Sequence, residues 1–193
     1  WGVLTGEWNG FDISGIVGST VDHGGYGFLM NTYDMAWPLL PLVRYDQRFA
    51  DAVEQKVILA TDASNAGQNY LSIRMYGPME RETSGGKKLG YRAFTSAALS
   101  GEVARAMPGV PMKMSGLFLR NSYGPIGYAF GYTKSGDSCI FGWQQLRSSD
   151  AERSGYRNVG AIQIRLRLCE NGASEKELLS VMYGYTVTGS FSS

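Results

Sequence analysis

The clearest hydrophobic pattern in the chain is GAIQIRLRLC, Gly160 to Cys169, in which Ile162, Ile164, Leu166 and Leu168 alternate with Gln163, Arg165, Arg167 and Cys169. A period of two sends these sets to opposite faces of a β-strand. A second apolar run, SCIFGWQQL from Ser138 to Leu146, precedes it across RSSDAERSGYRNV, a charged, glycine-containing stretch of the kind that closes a hairpin. One antiparallel register, with Ile140 opposite Leu168 and Leu146 opposite Ile162, keeps the apolar residues of both runs on one face, as a half-buried sheet requires.

VEQKVILAT (Val53 to Thr61) and NYLSIRMYG (Asn69 to Gly77) are joined by the turn-rich DASNAGQ and predict another hairpin. PMKMSGLFLR and IGYAFGYT read as further strands. Helical spacing is confined to two places. In FTSAALSGEVARAMPGV, Thr95 or Ser96 stands as N-cap, Leu99, Val103 and Met107 recur every four residues, and Pro108-Gly109 stops the helix. SEKELLSVMYG holds Ser174 with Glu177 three positions on, a capping box, and Gly184 as terminator, which predicts a helix over Glu175 to Tyr183. The fold class that follows is α+β: a mainly antiparallel β-sheet covered in part by two short helices, with a Gly/aromatic-rich N-terminal arm.

The arm emerges once charge is added to the pattern. Residues 1–43 carry Glu7, Asp12, Asp22 and Asp34 but no lysine or arginine, a charge of −4, whereas the remaining 18 basic and 13 acidic residues give residues 44–193 a charge of +5. The same stretch holds Trp1, Trp8, Phe11, Tyr26, Phe28 and Trp37, too many rings for a solvated tail. Two readings stand. Residues 1–43 supply ordinary strands and loops of the fold, or they form an arm that docks on the basic body of their own or a neighbouring copy, which builds a chain when the contact runs head to tail. The net charge of +1, without a basic block, excludes the electrostatic footprint of a nucleic-acid binder. The longest apolar stretch, around Ala36 to Val43, falls short of the roughly 20 residues of a membrane-spanning helix.

The hairpin register also places Cys139 directly opposite Cys169. Opposed residues of a non-hydrogen-bonded pair approach to about 4.5 Å between Cα atoms, close enough for a disulfide. The pair is therefore either bonded, which points to an oxidising compartment, or a buried pair of thiols. Two cysteines and one histidine do not complete a zinc site without a carboxylate, so no metal is assigned. On the same face, Phe141 and Trp143 oppose Arg167 and Arg165. These four residues make either a cross-strand packing layer, with guanidinium over ring, or a sugar-stacking platform beside Gln144 or Gln145. For catalysis, His23 has Asp22 beside it and Ser19 four positions earlier, but sequence neighbours are not a triad and no G-x-S-x-G elbow occurs. SGGKK, Ser84 to Lys88, lacks the earlier glycine and the following Ser/Thr of a phosphate loop. No catalytic residue and no cofactor are assigned, and the protein reads as a non-enzyme.

Taken together, DAVEQKVILATDASNAGQNYLSIRMYGP, SCIFGWQQL and IQIRLRLCENGASEKELLSVMYG resemble the BcsN family of bacterial cellulose-biosynthesis accessory proteins, over residues 44 to 185. The resemblance implies an exported protein of the periplasm, outer surface or exterior that is not itself a synthase. Its partners would be cellulose or another exopolysaccharide, the secretion machinery, and other copies of itself. A subunit of an extracellular filament, joined through the arm, is the alternative.

Overall fold

The computed structural model describes residues 7–8, 11–12, 28–31, 41–64, 67–76, 87–92, 94–117, 119–147 and 161–189. Its centre is an eight-stranded antiparallel sheet. The strands are β4 (Pro41–Arg48), β5 (Ala52–Leu59), β6 (Asn69–Tyr76), β7 (Met112–Met114), β8 (Leu119–Asn121), β9 (Gly124–Tyr132), β10 (Ser138–Arg147) and β11 (Ala161–Glu170). They lie side by side in the order β4-β5-β6-β11-β10-β9-β7, and β8 also pairs with β9. Three short strands from the first 43 residues, β1 (Glu7–Trp8), β2 (Phe11–Asp12) and β3 (Phe28–Asn31), stand outside this sheet. β1 pairs with β2, and β3 pairs with β12 (Thr186–Gly189) near the other end of the chain.

Helix α1 (Ser96–Ala106) starts where Thr95 Oγ1 accepts from the Ala98 N–H at 3.2 Å, and buries Leu99 and Val103. Helix α2 (Glu175–Gly184) has the expected capping box: Ser174 N–H and hydroxyl donate to Glu177 at 2.7 and 2.6 Å while the Glu177 N–H returns to Ser174 Oγ. Its buried Leu178, Leu179, Val181 and Met182 join Ile140, Ile164, Leu166 and Leu168 in the larger core. The helices lie on opposite faces of the hairpin β10–β11. α2 packs on the side of Ile140 and Leu166, and α1 on the side of Cys139, Phe141 and Cys169.

This arrangement corrects the expected half-buried sheet. The polar face of β11 is buried as well, with Gln163, Arg165 and Arg167 no more than 4% exposed. Helix α1 supplies partners for Arg165 and Arg167, and the chain before it supplies the Arg92 carbonyl to the Gln163 amide at 2.7 Å. A further correction concerns PMKMSGLFLR, which forms two strands: Ser115 Oγ accepts the Leu117 N–H at 3.1 Å in a local turn, so β7 and β8 pair with β9 separately. Strand β4, Pro41 to Arg48, runs across the boundary expected at 43/44.

Candidate functional site

The hairpin β10–β11 takes the register its apolar pattern demands, with Ile140 opposite Leu168 and Leu146 opposite Ile162. Cys139 therefore faces Cys169, and the two are joined by a disulfide with Cα atoms 4.1 Å apart. Both half-cystines are buried beneath α1, against Val103, Met107 and Ala129.

Polar ties converge on this point from the connection between β5 and β6 and from the first residue of β6. Asn69 grips Cys169 from both sides, its amide donating to the Cys169 carbonyl at 2.8 Å and its Oδ1 accepting the Cys169 N–H at 3.0 Å. Thr61 donates to the same carbonyl at 2.5 Å, and the Asp62 N–H reaches Glu170 at 3.2 Å. Two residues before Cys139, the carboxylate of Asp137 accepts from the Ser64 hydroxyl and N–H, the Ser135 hydroxyl and the Thr133 hydroxyl, at 2.8 to 3.2 Å. These hydrogen bonds, that of the Ser64 hydroxyl foremost, hold the Asp137 carboxyl below the usual carboxylate range.

The two buried arginines bind α1 to the sheet. Arg165 donates from Nε and Nη2 to both oxygens of Glu102 at 2.7 and 2.9 Å, a bidentate pair, and lies 4.3 Å over the Phe94 ring. Arg167 donates to the Ala106 carbonyl at the end of α1 at 2.8 Å, where a cation is favoured by the helix dipole. It also binds the Gln68 carbonyl and Asn69 Oδ1 at 2.9 and 3.1 Å. Gly67, with φ +106°, brings its backbone so close that an added Cβ would stand 2.8 Å from Arg167 Nη2. The α2 face has its own network: Asn121 donates to Gln144 at 3.0 Å and to the Met182 carbonyl at 2.8 Å, and the Tyr185 hydroxyl donates to Gln144. Burial pushes the Tyr185 hydroxyl far above the usual tyrosine value.

The register sets Phe141 opposite Arg167 and Trp143 opposite Arg165, as expected, yet the guanidiniums turn to the helix. Phe141, Arg165 and Arg167 are 0%, 4% and 3% exposed and have no face open to a sugar. Trp143 alone of the four is half-buried. Its indole lies over Gly127 on β9, where an added Cβ would meet Cε2 and Nε1 at 2.4 Å. Nothing in the sequence alone marks Glu102, Phe94 and Asp137. Of these, Glu102 is within reach, since it borders the apolar stripe of Leu99 and Val103 and a carboxylate there can meet the arginines of the sheet.

Of the arm residues, Trp8 and Phe11 oppose each other across β1–β2, and Phe28 opposes Gly189. Trp1, Tyr26 and Trp37 lie outside the described residues, as do Ser19, Asp22 and His23. Lys87 and Lys88 of SGGKK are exposed, and the rest of that loop is outside the described residues. Among the described residues, no helix is long and apolar enough to cross a membrane.

A family model described as "Cellulose biosynthesis protein BcsN" matches residues 43–193. The chain belongs to the BcsN family. The match takes in all of β5 to β11 and both helices, so the cystine hairpin, α1 and the polar ties between them lie within the BcsN region. Membership assigns the protein to cellulose biosynthesis. No curated protein and no solved structure matches the chain significantly.

Proposed function

We propose that this BcsN protein is a non-enzymatic, exported accessory of cellulose or related exopolysaccharide production at the bacterial cell surface, acting through binding to the polymer, the secretion machinery and other copies of itself. The observation that carries the reading is the buried cystine Cys139–Cys169, to which the β5–β6 connection and α1 are both fastened. A fold organised around an oxidised pair suits the periplasm or cell exterior, where disulfides persist, better than the reducing cytosol. The polar groups around that centre are engaged in holding elements together, as befits a scaffold.

Self-association draws support from the pairing of β3 with β12, which forms a sheet apart from the main one. A four-residue, two-stranded ribbon is marginal alone, so a neighbouring copy that extends it adds stability. The same observation favours the filament reading. Against it stands β4, the outer strand of the main sheet, whose sequence carries Pro41, Arg44, Asp46 and Arg48 and whose pairing is irregular at Pro41/Val43, all devices that discourage edge-to-edge growth.

The deciding experiment is to delete the gene in the source cell, measure cellulose output, and locate the tagged protein by fractionation. Reduced or misplaced cellulose, with the protein found outside the inner membrane, agrees with the proposal. Unchanged cellulose, or a cytosolic protein, contradicts it.

A further inference from the structure

Along β10 the cover provided by α1 is complete at Cys139 and Phe141 and relaxes at Trp143 and Gln145, both half-buried. These last two point to the same face of the sheet, one pleat apart. Trp143 rests on Gly127, the directly opposed residue of β9, so the strand backbone is a flat floor beneath the indole. Gln145 donates its Nε2 to the Tyr91 hydroxyl at 3.0 Å and is itself met by the buried Gln163 amide at 3.4 Å. Tyr91 is 41% exposed, yet its ring stands edge-on against Tyr76 with centroids 5.4 Å apart.

The surface therefore presents an indole, an amide and a phenol, each braced from below or from the side. Surface rings that are already held, Trp143 half-buried and Tyr91 exposed, lose little freedom on binding, which is what a preorganised contact requires. The chemistry matches a pyranose. The C–H face of a sugar ring is apolar and stacks on an aromatic ring, while its rim hydroxyls exchange hydrogen bonds with an amide or a phenol. An indole, an amide and a phenol offer stacking and hydrogen bonds and no ion pair, so the complementary ligand is a neutral sugar chain. We propose that Trp143, Gln145 and Tyr91 form a contact site for a neutral β-linked glucan. The choice of a glucose polymer rests on the cellulose role argued above; the stacking site itself rests on the geometry. Of the platform expected from the sequence, Trp143 and Gln145 are retained, Phe141, Arg165 and Arg167 are buried away from it, and Tyr91, reached through the chain before α1, is new.

The test is titration of the full chain with cellohexaose, followed through the indole N–H signals in a ¹H–¹⁵N correlation spectrum, with the Trp143 signal assigned by its loss in Trp143→Phe. The Trp143 signal should shift saturably. Tyr91→Ala should weaken binding by about tenfold, the loss typical of truncating an aromatic contact, and Trp143→Phe should retain more affinity than Trp143→Ala. Tyr91 is at the surface, so its variant remains informative even where Trp143→Ala fails to fold. Absence of any shift with cellohexaose, or unchanged affinity in folded Tyr91→Ala, overturns the site. Preferential binding of polygalacturonate over cellohexaose overturns the neutral ligand in favour of an acidic one. Each result is separable from the cellulose role, because a chain that fails to bind cellohexaose while its deletion still lowers cellulose output leaves that role standing and removes only this contact.

Discussion

A methyl group at Gly127 would stand 2.4 Å from the Trp143 indole, and nothing on the strand can yield because the neighbour is a broad ring packed toward Phe141. Gly127→Ala should therefore destabilise by about 1 to 3 kcal/mol, as overpacking does. Denaturant midpoints check this, and a smaller Trp143 side chain should restore part of the loss in the double variant. At Asp137 the effect depends on pH. Its folded-state pKa is depressed by the hydroxyls and N–H that converge on it, so the stabilisation is present in full above the unfolded value of about 3.9 and is lost as pH falls through the lower folded value. Thermal melts between neutral and acidic pH should show a steeper acid decline for the wild type than for Asp137→Asn. Neither residue stood out in the sequence for a shared reason: the significance of Gly127 and Asp137 lies in partners, Trp143 and Ser64, that only strand pairing and loop docking bring near. Cys139 and Cys169 were legible because their pairing follows from apolar alternation alone.

At the scale of elements, local signals were sufficient wherever capping and periodicity agreed. The Ser174–Glu177 box and the spacing of Leu99, Val103 and Met107 placed both helices to within a residue or two of where they stand. They did not say which face of the sheet each helix covers, so Arg165 and Arg167 read as cross-strand partners of Phe141 and Trp143, or as part of a sugar platform, when they are the pins that fasten α1. A buried arginine in an alternating strand signals an unseen partner, and here the partner lies more than 60 residues away in sequence. Glu102→Gln should leave Arg165 without its countercharge. Breaking a buried ion pair costs roughly 3 to 5 kcal/mol, and the partial exposure of Glu102, 27%, moves the expectation to about 3 kcal/mol or less. The same variant should raise hydrogen exchange in α1 more than in α2, which packs on the opposite face. Equal protection loss in both helices would show that Arg165 supports the fold generally and does not specifically anchor α1.

For the whole molecule, β3, from the first 43 residues, pairs with β12, late in the chain, while the body is closed by one covalent bond. A chain beginning at Pro41 should keep its sheet and its disulfide but leave β12 without its strand partner. Sedimentation should then show loss of self-association, and an unchanged oligomeric state would remove the arm as a link between copies. The disulfide closes a loop of 30 residues in sequence separation, which in the chain-entropy treatment stabilises by roughly 3 to 4 kcal/mol. That bond also carries the claim of export, so the most direct measurement is peptide mapping of the native protein, alkylated at harvest and digested without reductant. A linked peptide pair containing Cys139 and Cys169 is the expected result. Recovery of both cysteines as alkylated free thiols would contradict the account of a protein folded around an oxidised centre outside the cytosol.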